Sequence, residues 1–205
     1  MSKRLQLIKS HFKKADPKIY QLIIRCDFEL LPKPKNSRNY FFKLCREIIA
    51  QQLASGAANA IIGRFLNLFP KKRVTPDKIL VFTEKDLRGV GMSWAKARYI
   101  RDLAEKIKNR QVNLKSLHNL QDEVVIEELI KVKGIGKWTA EMFLIFTLGR
   151  ENIFSHGDLG LNRAIQKLYG FKERPNEQQV SKIIASWSPY KSYGCLMLWR
   201  SLKKN

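Results

Sequence analysis

Apolar residues recur along the chain at intervals of three and four, while strict apolar/polar alternation over strand-length windows is scarce. Asp16-Pro17 reads as an N-cap followed by a first-turn proline, and Ile19, Leu22, Ile23 and Cys26 share the next helical face, so a first helix is expected to open there. Pro32-Lys33-Pro34-Lys35-Asn36-Ser37 interrupts the pattern as a linker between elements, and a boundary between lobes would fall at such a break. Phe41, Leu44, Cys45, Ile48 and Ile49 then resume helical spacing. After the polar steps Gln51-Gln52 and Ser55-Gly56 comes a stripe of Ala57, Ala60, Ile61, Phe65 and Leu68 that Pro70 closes. Thr75-Pro76 predicts a short helix, and Ser93 caps one carrying Ala97, Ile100, Leu103, Ala104 and Ile107.

The second half follows the same rule. Asp122 and Glu123 open a helix striped by Val125, Leu129 and Ile130; Trp138, Met142, Ile145 and Phe146 define the next. Gly157-Asp158 starts a helix with Leu161, Ala164, Ile165 and Leu168 on one face, and Gly170 ends it as a C-cap. Val180, Ile183, Ile184 and Trp187 mark another, and Leu196 and Trp199 belong to one after Pro189. The fold class is therefore all-α, with around ten short helices and no repeat array.

Between two of these helices lies Val132-Lys133-Gly134-Ile135-Gly136-Lys137-Trp138-Thr139-Ala140. A G-x-G step at a helix N-terminus exposes backbone N–H groups that can hold a phosphate without side-chain charge. Leu87-Arg88-Gly89-Val90-Gly91 partly echoes it and reads as a structural turn, with a second nucleic-acid contact as the alternative.

Composition adds a partner class. Among 205 residues, 39 Lys+Arg stand against 18 Asp+Glu, a formal net charge of +21 spread from Lys3 to Lys204. Such a balance points to a polyanion, although charge can also serve solubility alone. Cys26, Cys45 and Cys195 are too dispersed for a paired-cysteine zinc site or an iron–sulfur cluster, and read as reduced core residues. The N-terminus lacks the apolar run of a signal peptide and no stretch reaches membrane-spanning length, so a cytoplasmic, nucleoid-associated protein is expected, or a nuclear one in a eukaryote.

Four stretches in order carry a family resemblance: Asp16-Pro17; Ile48-Ile49-Ala50-Gln51-Gln52-Leu53; the hairpin Gly134 to Ala140; and Trp187-Ser188-Pro189-Tyr190-Lys191-Ser192-Tyr193 with Trp199. Together they resemble the helix–hairpin–helix superfamily of base-excision DNA glycosylases, and within it the alkylpurine (3-methyladenine) family. Few residues precede Gln51, so the compact form without an N-terminal β-domain is expected. The resemblance implies one glycosylase module over 1–205. Its middle helical lobe, 36–152, would contain the hairpin at 132–136; 1–35 and 153–205 would form a terminal lobe, with the active site in the cleft between the two.

By the same resemblance Asp158 is the catalytic aspartate, and its expected helix-start position favours negative charge there. A fixed anion near the sugar would stabilise the oxocarbenium character that develops at C1′ when an N-glycosidic bond breaks. An aspartate that only caps its helix is the competing reading. Trp138 stands where bifunctional members carry a Schiff-base lysine, so hydrolysis by water is implied, leaving an abasic site. Gly134, Gly136, Lys137 and Thr139 are the expected DNA contacts. Gln52 is the candidate wedge that fills the stack after base flipping, against the reading of a solvated helix-end glutamine. Trp199 and Trp138 are the expected base-pocket aromatics, with Trp187, Tyr190 and Tyr193 as core or pocket wall. The family's hairpin carbonyls can hold a monovalent cation, here on Ile130, Val132 and Ile135, with no other cofactor. Lys133 replaces a common hairpin proline, trading turn rigidity for a cation near phosphate. Leu159 and Met142 depart from aromatics of some relatives, and His156 reads as incidental. The implied partner is duplex DNA containing a damaged base, acted on by a monomer with no membrane association. A glycosylase of other specificity, for uracil or oxidised guanine, and a non-catalytic DNA-binding hairpin module are the alternatives.

Overall fold

The structure, a computed structural model, describes residues 2–25, 29–32 and 39–202, which form twelve α-helices and no strand. Cys26 and most of the linker from Lys33 to Ser37 lie outside the described residues. The chain divides into two compact units, Met1–Lys33 with Gly149–Asn205, and Pro34–Leu148.

The discontinuous unit holds α1 (Lys3–Ala15), α2 (Pro17–Arg25), α10 (Leu159–Tyr169), α11 (Glu177–Ala185) and α12 (Lys191–Ser201). Helix α1 corrects the sequence reading, which opened the first helix at Pro17. Ser2 caps α1 by accepting the Leu5 N–H, but only Ile8 and Phe12 are buried, too sparse a stripe to announce itself among so many lysines. Asp16 does cap α2, its Oδ1 accepting the Lys18 and Ile19 N–H groups. Its Oδ2 accepts the Trp187 Nε1–H at 2.7 Å and the Tyr169 hydroxyl, so one buried carboxylate ties the N-terminal helix to the C-terminal segment. Burial and that neighbouring carboxylate push the Tyr169 phenol well above its usual range. Trp187 lies beyond the end of α11 rather than on its face, and is fully buried. Gly194 of α12 is required beside it: a Cβ there would stand 2.4 Å from the Trp187 ring.

The continuous unit holds α3 (Tyr40–Ala50), α4 (Ser55–Asn67), α5 (Pro76–Val81), α6 (Glu84–Gly89), α7 (Trp94–Lys108), α8 (Asp122–Ile130) and α9 (Lys137–Phe146), with short 3₁₀ turns at Pro70–Lys72 and Leu117–Asn119. Phe41, Leu44, Cys45, Ile48 and Ile49 are all buried, as their spacing predicts. Helix α9 is buried at every position from Thr139 to Ile145, the signature of a central helix rather than an amphipathic one. All four residues that define it, Trp138, Met142, Ile145 and Phe146, lie in it, and Trp138 and Phe146, near its ends, are 43% and 39% exposed. Of the stripe that marks α8, Val125 and Leu129 are buried and Ile130, the helix's last residue, is exposed. Thr75 and Ser93 cap α5 and α7 as expected.

Candidate functional site

In the continuous unit, a groove of about 570 Å³ is lined by Gln51, Gln52, Ser93, Ala95, Lys96, Tyr99, Gly134, Gly136, Trp138 and Thr139. Three local structures meet in it: the turn after α3, the N-terminus of α7, and the hairpin that opens α9. The hairpin closes on the Ile135 N–H to Val132 carbonyl bond at 3.1 Å, and Gly136 is the N-cap of α9. The two glycines differ in cause. Gly134 has φ +79°, and a Cβ there would fall 2.1 Å from the Tyr99 ring, so this glycine is fixed by packing within the protein. Nothing within 4 Å opposes a Cβ at Gly136, which leaves its side of the turn open to a ligand.

Lys133 gains what a proline could not have. Its N–H donates to Asp102 Oδ2 at 2.8 Å, which restores the rigidity a ring would have supplied. Its ammonium lies 3.9 Å from Asp102 Oδ1, so the cation expected near phosphate is partly offset by an acid. Lys137 is exposed at the first position of α9. Thr139 is buried, its Oγ1 accepting the Gln51 Nε2–H at 3.2 Å, so it reaches the groove as part of the wall. Val132 and Ile135 are buried while Ile130 is exposed; their carbonyls are neutral oxygen donors at the hairpin's two ends. Among the described residues no cluster of His, Cys, Asp and Glu could hold a metal ion.

Gln52 is exposed with φ +56°, a left-handed conformation that is uncommon for a residue with a side chain. The turn leaves this side chain in the open, at the edge of the groove. The echo of the hairpin at Leu87-Arg88-Gly89-Val90-Gly91 is occupied from within: Arg64 Nε–H donates to the Val90 carbonyl at 2.8 Å. That bond gives the turn a role within the fold, and the turn also delivers Ser93, Ala95 and Lys96 to the groove wall. Sequence reasoning missed Lys96, Tyr99 and Asp102; only the G-x-G echo upstream of α7 hinted that this helix belonged to the site.

In the discontinuous unit, Asp158 is the N-cap of α10 and 7% exposed. Its Oδ1 accepts the Leu161 N–H at 2.8 Å and the Trp199 Nε1–H at 3.2 Å. Asp158 therefore does cap its helix, and a second donor, the edge N–H of the Trp199 indole, holds the same carboxylate oxygen. Asn162 Nδ2–H donates to the carbonyls of His156 and Asp158 at 2.8 and 2.9 Å, bracing the loop that carries the acid. His156 stacks edge-on against Phe154, with Nδ1 buried and without a hydrogen-bond partner. Trp187 and Tyr193 are buried core, and Tyr190 packs against His11 with the Arg4 guanidinium over its ring. Leu159 is 69% exposed, whereas Met142 is interior packing of α9.

Residues 45–189 match the HhH-GPD superfamily of base excision DNA repair proteins. The alkylbase DNA glycosidase-like protein mag2 of Schizosaccharomyces pombe is 31% identical over 83% of this chain and 81% of its own length. Bacillus subtilis YfjP is 34% identical over 76% of this chain, and this chain spans 56% of that relative's length. The crystal structure of a DNA-3-methyladenine glycosidase from Bacillus halodurans superposes with a TM-score of 0.79 at 34% identity, over 95% of this chain and 88% of that one. The S. pombe 3-methyladenine DNA glycosylase Mag1, solved in complex with abasic DNA, gives a TM-score of 0.77 at 26% identity and covers 95% of each chain.

Proposed function

This chain belongs to the HhH-GPD superfamily of base excision DNA repair proteins, and from that premise we propose that it is a monofunctional DNA glycosylase releasing alkylated purines from duplex DNA. The observation that carries the reading is the Asp158 carboxylate, buried at a helix N-terminus and oriented by the Trp199 indole. Cleavage breaks the C1′–N bond heterolytically, and the electron pair leaves with the base. Positive charge then develops at C1′, where a preorganised anion stabilises it. Water adds its oxygen to C1′ and gives up a proton, completing hydrolysis to an abasic site.

A purine methylated at N3 or N7 already carries a formal positive charge and departs as a neutral base. The same charge draws it to an indole face through cation–π attraction worth roughly 0.5–2 kcal/mol. Trp199 supplies that face beside the carboxylate, and Trp138 has no amine with which to form a Schiff base. On this reading the open Gly136 side of the hairpin, with Gly134, Lys137 and Thr139, seats a DNA phosphate, while Gln52 enters the stack left by the flipped nucleotide. The hairpin carbonyls of Ile130, Val132 and Ile135 are hard, neutral oxygens suited to a monovalent cation, which would join backbone to phosphate. The relatives named as 3-methyladenine glycosylases, and the abasic DNA bound to one of them, support the assignment.

Purified protein assayed against duplexes that each hold one damaged base tests it. The expected result is preferential release of N3- and N7-methylated purines. Best activity on uracil or oxidised guanine, or DNA binding with no base release, would overturn it.

A further inference from the structure

The turn that carries Gln52 is held from two sides by hydrogen bonds within the protein. Lys96 Nζ, reaching from the first turns of α7, donates to the carbonyls of Ile49 at 2.9 Å and Gln51 at 2.7 Å. These belong to the C-terminal end of α3, where carbonyls lack intrahelical partners and a cation is favoured by the helix dipole. From the other side, Gln51 Nε2 donates to the Gly134 carbonyl at 2.8 Å and to Thr139 Oγ1 at 3.2 Å. Between these anchors sits Gln52 at φ +56°. A side-chain-bearing residue persists in that region only where its surroundings over-determine it.

We infer that Lys96 and Gln51 form a brace that locks the wedge turn to the hairpin, so that Lys96 is a positioning residue for nucleotide flipping and not a phosphate ligand. Two of the three ammonium donors of Lys96 are spent on protein carbonyls. Burial pushes its pKa below the usual lysine value, as expected for a cation withdrawn from solvent. The brace makes the groove one mechanical piece: a phosphate seated on the hairpin and a wedge presented to the stack are then held at a fixed separation. This inference rests on the glycosylase reading, and its test separates the two.

Single-turnover excision of one methylated purine is measured in duplex and in single-stranded DNA, the latter having no opposing stack for a wedge to fill. Lys96→Met keeps the stem and deletes both donors. Duplex excision should fall at least ~10-fold, as for loss of two charge-assisted hydrogen bonds, and at least ~5-fold more than single-strand excision. Lys96→Arg, which can still bridge two carbonyls, should recover most of the loss. Should Lys96→Met fold poorly, Gln51→Met removes the opposite half of the brace and should give the same duplex-selective defect. The slope of log affinity against log salt should match the wild type, since no phosphate contact is lost. A slope reduced by about one would make Lys96 a phosphate ligand, and equal losses on both substrates would remove any special role in flipping; either overturns the brace. A wild-type protein inactive on both substrates would instead refute the glycosylase reading, and the brace with it.

Discussion

Trp199 does two things at once, since its indole N–H is bonded to Asp158 while its ring is the proposed stacking face. Substitution can separate them. Trp199→Phe keeps a ring but deletes the N–H, so the rate of base release should fall by about 10-fold, the scale of one lost hydrogen bond to a charged group, with capture of the cationic base largely kept. Trp199→Ala should lose both rate and capture, read as a split between single-turnover rate and half-saturating enzyme concentration. An unchanged rate in Trp199→Phe would leave the indole with stacking alone. At Trp138 the expectation is negative and equally sharp: borohydride added during turnover should trap no protein–DNA adduct, and the product strand should stay uncut until alkali is added. A trapped adduct would contradict hydrolysis by water.

At the scale of elements, the hairpin depends on Gly134 for the protein's own packing. Gly134→Ala would force a Cβ into the Tyr99 ring at a positive φ, so a loss of more than ~2 kcal/mol in stability is expected, together with weakened DNA binding. Pairing it with Tyr99→Ala should recover part of the stability by opening that space, whereas a neutral Gly134→Ala would show the hairpin free to shift. Elements whose ends are chemical were legible in the sequence: Asp16, Thr75, Ser93 and Gly170 mark boundaries because caps and left-handed turns demand particular residues. Helix α1 was not, because only Ile8 and Phe12 are buried in it. The groove was half legible. Its glycines and Trp138 form a contiguous motif, but Gln51 meets Gly134 across 83 residues and Lys96 meets Gln51 across 45, and periodicity carries no information about such pairings.

For the whole molecule, a net charge of +21 predicts affinity for undamaged duplex that falls steeply and linearly in log salt. Lys137→Ala at the exposed start of α9 should reduce that slope by about one while changing base preference little. An unchanged slope would remove Lys137 from the phosphate contacts. The two compact units divide the proposed labour in the same way, with the hairpin groove in Pro34–Leu148 and the acid with its indole in the unit that joins both chain ends. The most direct test of the account therefore asks whether chemistry and binding come apart at one carboxylate. Asp158→Asn, measured for single-turnover release of a methylated purine and for affinity to abasic-site DNA, should lose at least ~100-fold in rate, the scale of a removed transition-state electrostatic contact, with affinity kept. Near-normal release by Asp158→Asn would contradict the account and move the active site elsewhere.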